Sequence, residues 1–334
     1  MKAPHFWSHG LDPRSREAAP LTRVLLTPLE QLYIWGVRRK LARATPHPAP
    51  VPVICVGNLT VGGVGKTPVV ATLREKLTGF GYRTATLSRG YGGKLEGPLR
   101  VDETAHSAAD VGDEPLMLAC SGETWIGRDR AAAAEAMATA GVEVIVMDDG
   151  FQNPGLAKSL SIVAVDAAAP FGNGYCIPKG PLREPVADGI ARADAVLLIG
   201  EGDLPAGLIP EGKSVLRASI EPRGPAVDGP LIAFAGIGRP RKFFDSLQLA
   251  GADLRDGVGF GDHYVYMPSD MAFLRNLADT HDARLITTEK DFVRLPKDWR
   301  EGILTWPVEA RFHDTPVSID KLLKSTLDTF HHGS

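Results

Sequence analysis

Val61-Gly62-Gly63-Val64-Gly65-Lys66-Thr67 separates two stretches of different period. Before it runs an apolar, β-branched segment, Val51-Pro52-Val53-Ile54-Cys55-Val56; after it Val69, Val70, Leu73 and Leu77 recur at helical spacing. Strand, glycine-rich turn, Gly-Lys-Thr and helix are the parts of a phosphate-binding loop in the order that motif requires. Glycine lets the backbone wrap an anion without Cβ clashes, so successive N–H groups point inward. The positive end of the following helix faces the same charge. Thr60, Val61, Gly62, Gly63, Val64, Gly65, Lys66 and Thr67 are therefore expected to cradle nucleotide phosphates. Lys66 would reach the β- and γ-phosphates and the Thr67 hydroxyl would serve Mg²⁺. Pro68 needs no N–H in the first helical turn, so it does not break the motif. The strict pattern has glycine where this chain has Thr60; Gly62 and Gly63 instead fit a Gly-Gly-x-Gly-Lys-Thr variant.

Outward from the loop, apolar strands alternate with helical stretches. Arg83–Ser88, Val142–Met147, Ser161–Asp166 and Ala195–Ile199 are expected strands, and the alanine-rich segment from Asp129 to Ala140 an expected helix. Strands this apolar imply a mostly parallel, doubly wound α/β sheet covered on both faces. A stretch rich in Pro and Gly, Glu221 to Pro230, marks a boundary, after which the alternation restarts on a smaller scale. Three parts are expected: an N-terminal helical segment over 1–45, a nucleotide-binding domain over 46–225, and a smaller α/β domain over 226–334.

The chain has 334 residues, enough for two cores, and a net charge of −3, which argues against nucleic acid as a partner. Cys55, Cys120 and Cys176 show no metal-ligand spacing and are expected to be buried, reduced thiols. Met1 to Asp12 lacks the apolar core of a secretory signal, and no apolar run reaches membrane-spanning length. Leu21, Val24, Leu25, Leu29, Leu32, Ile34 and Trp35 recur near helical spacing, with Tyr33 among them, and Arg38, Arg39, Lys40 and Arg43 follow. Such an amphipathic helix suits either an anionic bilayer surface or packing on the main domain.

Asp148 closes an apolar strand downstream of the loop, where a carboxylate would hold Mg²⁺, and Asp149 adds a second charge. Transfer to an alcohol also needs a group to take the hydroxyl proton. Asp113, in Val111-Gly112-Asp113-Glu114-Pro115, could be that base or only a helix cap. His263, in Gly261-Asp262-His263-Tyr264, could assist it or be an ordinary loop histidine. Spacing does not choose.

Several segments together resemble the lipid A 4′-kinases, the tetraacyldisaccharide 4′-kinases. They are Asn58 to Pro68, Ser88-Arg89-Gly90-Tyr91-Gly92, Val111 to Pro115, Asp148-Asp149-Gly150-Phe151-Gln152, Pro178 to Pro185, Asp262-His263-Tyr264 and Thr287 to Asp291. The resemblance implies a peripheral enzyme on the cytoplasmic face of a Gram-negative inner membrane. It would use ATP and Mg²⁺ to phosphorylate the 4′-hydroxyl of a tetraacylated glucosamine disaccharide 1-phosphate. It implies Lys66 in catalysis, Asp113 as base aided by His263 from the other domain, and Thr67, Asp148 and Asp149 on the metal. Arg89, Arg183 and Glu184 would be substrate- or nucleotide-site groups. It also favours bilayer docking for the N-terminal helix, because the substrate is itself a lipid. The same loop serves membrane-associated switch ATPases that act on protein partners, and lipid-dependent ATP turnover separates the two. A guanine-reading Asn-Lys-x-Asp signature is not evident, and Thr288-Glu289-Lys290-Asp291 matches it poorly.

Overall fold

The computed structural model describes residues 4–12, 15–205, 207–225 and 227–332. Its first half runs α1 (Pro20–Arg43), β1 (Val53–Gly57), α2 (Lys66–Gly79), β2 (Thr84–Ser88), β3 (Leu99–Arg100), α3 (Ala108–Val111), α4 (Asp113–Ala119), β4 (Thr124–Ile126), α5 (Arg130–Thr139) and β5 (Val144–Asp148). Then come β6 (Leu160–Asp166), α6 (Val186–Arg192), β7 (Ala195–Ile199) and β8 (Ser214–Pro222). Beyond the Pro/Gly-rich stretch lie β9 (Pro230–Ala235), α7 (Pro240–Leu249), β10 (Asp253–Gly259), α8 (Pro268–Thr280) and β11 (Arg284–Thr288). The chain closes with α9 (Glu289–Phe292), β12 (Leu304–Trp306), β13 (Val308–Phe312) and α10 (Ile319–His332).

The larger sheet has the order β13-β8-β7-β6-β1-β5-β2-β4-β3, parallel except at its two edges, where β3 and β13 run antiparallel. Every residue of β1, β2, β5 and β7 is buried, as strands covered on both faces must be. One face packs against α5 through Ala133, Ala134 and Met137, the other against α2 through Val69, Val70, Leu73 and Leu77. β1 sits between β6 and β5, with Val56 paired to Asp148. That register sets the start of the glycine-rich loop beside the end of β5, at the carboxyl edge where open α/β sheets bind ligands. The smaller sheet, β10-β9-β11-β12, is wholly parallel. Phe234, Phe260, Tyr264 and Tyr266 stack edge-on and tilted on one of its faces.

Two expectations are corrected. The part expected over 226–334 does not stay together. β13 crosses back to pair with β8, and Ile319, Leu323 and Leu327 of α10 are buried in the same core as α2. The physical reason is the open flank of β8, whose unpaired edge β13 covers while the apolar stripe of α10 finds its partner there. Cys120, expected buried, is exposed at the end of α4, whereas Cys55 and Cys176 are buried; all three are free thiols.

The N-terminal helix is apolar on two faces rather than one. Tyr33 and Ile34 turn inward and pack on the main core, and the buried Glu30 accepts a hydrogen bond from the Cys176 N–H at 2.8 Å. The Tyr33 hydroxyl donates to the Arg183 carbonyl at 3.0 Å, so α1 is tied to the segment that feeds the site. Leu21, Val24, Leu25, Leu29, Leu32 and Trp35 point outward, each 54–80% exposed. No helix among the described residues is long and apolar enough to cross a membrane.

Candidate active site

Gly65 stands at φ 86°, a left-handed conformation that costs glycine little, and turns the loop into the first residue of α2, Lys66. The Lys66 ammonium donates to Asn58 Oδ1 at 2.9 Å and lies 3.4 Å from Asp149 Oδ1. Asn58 in turn donates through Nδ2 to the carbonyls of Thr60 at 2.8 Å and Gly62 at 3.2 Å. This fully buried amide fixes both the loop and its lysine. The sequence placed Asn58 in the motif without revealing that role.

Asp148 and Asp149 are adjacent but oppositely tuned. Burial pushes the Asp148 carboxyl up to about 7; Glu114 and Asp149 add to this, and Lys66 and Lys290 oppose it. Its Oδ1 is buried without a hydrogen-bond partner. A buried carboxylate oxygen with no donor fits a cation as its partner. For Asp149 burial also acts upward, but Lys66 and Arg183 outweigh it and hold the carboxyl below its usual range. Arg183 Nη1 donates to both Asp149 oxygens, at 2.9 and 3.0 Å. Asp149 keeps this pose at φ 52°, which a non-glycine residue rarely adopts and which clusters at functional sites.

Glu184 lies beneath the Asp149–Arg183 pair. Its side chain is buried, and Arg192 Nη2 grips its two oxygens at 2.7 and 2.6 Å. Gln152 donates to it at 3.0 Å and accepts from Arg183 at 3.3 Å, so Glu184 braces Arg183 through Gln152. Arg89 is exposed just past β2, apart from these ion pairs, and its charge is felt by the buried Arg130.

Gly112, at φ 91°, takes the cap position of α4; a Cβ there would sit 2.5 Å from the Tyr91 carbonyl oxygen. Asp113, the first residue of α4, accepts the Glu114 N–H through Oδ1 at 3.0 Å and aims its Oδ2 across to the smaller sheet. His263 Nδ1 lies 3.0 Å from that oxygen, Arg294 Nε donates to it at 2.8 Å, and Lys290 Nζ stands 3.9 Å away. Burial alone would raise Asp113, but His263, Lys290 and Arg294 outweigh it and hold the carboxyl far below its usual range. His263, at φ 55°, is the second site residue in the left-handed region. Arg294 also donates to the Gly236 carbonyl at 2.7 Å and to Asp291 at 2.9 Å, so one guanidinium joins the two sheets' domains. Lys290 donates to Glu114 Oε1 at 2.9 Å. The sequence reading missed Arg294; the only signal was its spacing of four residues from Lys290.

The glycine-rich loop with Lys66, the Asp148 oxygen that has no donor, and an Asp113–His263 contact that bridges the two domains make up the candidate site. The family model described as tetraacyldisaccharide-1-P 4′-kinase matches residues 22–327. Proteins named tetraacyldisaccharide 4′-kinase are similar to the chain: that of Hyphomonas neptunium is 59% identical over 97% of both chains. That of Maricaulis maris is 49% identical over 98% of this chain and 97% of its own. The crystal structure of LpxK from Aquifex aeolicus in complex with ATP superposes with a TM-score of 0.73 at 27% identity, covering 92% of this chain and 99% of that one. On the match over nearly its whole length, the chain belongs to the tetraacyldisaccharide 4′-kinase family.

Proposed function

We propose that the protein transfers the γ-phosphate of ATP to the 4′-hydroxyl of a tetraacyldisaccharide 1-phosphate, on the surface of a membrane. The observation that carries this reading is the contact of Asp113 with His263, in a site where the charges of Glu114, Lys290 and Lys66 all reach Asp148. An alcohol acceptor needs a proton acceptor there, which a hydrolytic switch does not need in that form. Asp113 accepts the hydroxyl proton, and His263 orients it and shares the charge. Lys66 and the loop N–H groups hold the β- and γ-phosphates. Thr67 and Asp148 would hold Mg²⁺, with Asp149 beside them; the unpartnered Asp148 oxygen fits such an ion. When bound, Mg²⁺ neutralises charge on the phosphate oxygens. Arg183 keeps Asp149 in place, and the smaller domain closes the site against water.

The test is transfer of radiolabelled γ-phosphate from ATP to the lipid acceptor in mixed micelles. Label in the lipid supports the reading. Steady phosphate release with unlabelled lipid would favour a membrane-associated switch ATPase acting on a protein partner.

The outward face of α1 supports membrane docking, because six large apolar side chains there are mostly exposed. Arg39, Lys40 and Arg43 at its end add attraction to an anionic leaflet. Changing Leu25, Leu29 and Leu32 together to Ser is expected to weaken binding to anionic vesicles at least about tenfold, given about 1.5–3 kcal/mol per buried leucine. Melting should change little, since these side chains are mostly exposed. Vesicle sedimentation checks this, and undiminished binding would place the lipid contact elsewhere.

A further inference from the structure

Among the described residues Lys66, Arg183, Arg294 and Lys290 bring positive charge to the site, and they are not equivalent; Arg183 is spent on both oxygens of Asp149. Lys66 comes from the phosphate loop. Arg294 comes from the smaller domain, but its donors are taken by Asp113, the Gly236 carbonyl and Asp291, and its side chain is only 8% exposed. It is a fixed tie. Lys290, on the same short segment, is different. Its ammonium sits 2.9 Å from Glu114, whose side chain is 37% exposed, and 3.9 Å from Asp113 Oδ2. A lysine held by one partly solvated carboxylate can exchange that partner for a stronger anion at small cost.

Its position matters more. Lys290 stands 3.9 Å from the Asp113 oxygen that His263 approaches, which on the kinase reading is the oxygen that takes the acceptor's proton. Its charge and that of Lys66 are both felt at Asp148. The phosphoryl group travels between the loop and Asp113, so it passes from one ammonium to the other. In that step the bond from the γ-phosphorus to the bridging oxygen breaks, and its electron pair leaves on ADP. The bond from the 4′-oxygen to phosphorus forms, and the hydroxyl proton goes to the Asp113–His263 pair. Negative charge spreads over the three equatorial oxygens as this happens. Lys66 faces the donor side of that charge; the acceptor side needs a cation, and Arg294 is not free to supply it.

We propose that Lys290 is a catalytic residue: the smaller domain delivers its ammonium to the equatorial oxygens of the transferring phosphoryl group, with Glu114 holding it ready. The inference rests on the kinase reading above and extends it by naming the group that couples domain contact to the rate of transfer. It also implies that nucleotide binding alone does not complete the site.

Lys290→Met keeps the stem and removes the charge. The expected result is a loss of about 10²-fold or more in kcat, the scale for losing one charge-stabilising donor. Affinity for ADP alone should change little. Affinity for ADP with aluminium fluoride, which mimics the transferring group, should fall by a factor similar to the loss in kcat. Lys290→Arg should recover part of both. If Lys290 merely tethers the domains through Glu114, ADP and ADP–aluminium fluoride will weaken equally, or kcat will stay near wild type; either result overturns the proposal. A wild-type protein that leaves the lipid unlabelled would instead remove the kinase reading itself.

Discussion

Asp113→Asn is expected to lower kcat about 10³-fold with little change in ATP affinity. The amide keeps the shape of the side chain but cannot accept the hydroxyl proton or balance the charge that develops on His263. His263→Gln should cost less, about 10²-fold, because the carboxylate remains. The double variant should be scarcely worse than Asp113→Asn alone, since groups acting as one unit are not additive. Additive losses would separate the two residues into independent roles.

The same substitution should also loosen the contact between the domains. Arg294 and Lys290 both lean on Asp113, and Arg294 is nearly buried. Removing the charge from a buried pair costs on the order of 3 kcal/mol. The carboxyl of Asp113 is depressed below its usual range by His263, Lys290 and Arg294 acting against burial. A depressed acid contributes stability that is present above the ordinary Asp range, near pH ~4, and is lost as pH falls below it. Asp113 thus stays ionised through neutral and mildly acid pH. A fall in kcat/KM with acid in that window must come from another group, which a pH–rate profile of Asp113→Asn against wild type would show.

How much of this was written in the chain depends on the range of each signal. The phosphate loop was legible because its glycines, lysine and flanking periods lie within a few residues. β5 and Asp148 were legible for the same reason, as a continuous apolar run ending in an acid. β10 was missed: Asp253, Arg255 and Asp256 with two glycines do not look like a strand, and it is tolerated because it lies at a sheet edge with much of its surface exposed. β13 was missed because only Pro307 separates it from β12, yet the two strands belong to different sheets. The Arg294–Asp113 tie spans 181 positions, and no local pattern announces it. The ion pair of Glu184 with Arg192 inside the fold is likewise a contact that the motif around Glu184 does not announce. The outward face of α1 was legible as a period but not as a surface, since the same helix carries a second apolar face that packs.

Asp148→Asn is expected to abolish transfer and yet stabilise the nucleotide-free protein. Burial raises the wild-type carboxyl from 3.8 to about 7, with Glu114 and Asp149 adding to it. A raised folded value means that the unfolded chain releases its proton first as pH climbs. The penalty is therefore absent below pH ~4, grows between about 4 and 7, and is full above 7. Asn carries no charge and escapes it. At pH 8 the gain should be roughly 2–4 kcal/mol, a rise in Tm of several degrees at about 2–4 °C per kcal/mol. At pH 4 the two proteins should melt nearly together. Mg²⁺ with ATP should reverse the order at pH 8, because only the wild type gains a cation for the orphaned Asp148 oxygen. Calorimetric melts at the two pH values, with and without Mg²⁺ and ATP, check the whole set. Equal melting at pH 8 without ligand would mean that Asp148 is already paired there, and the metal role would then have to move to Asp149. The opposition of activity and stability at one residue is what a site built to bind a cation should display: the carboxylate is held, at a cost, in a place where only its ligand relieves it.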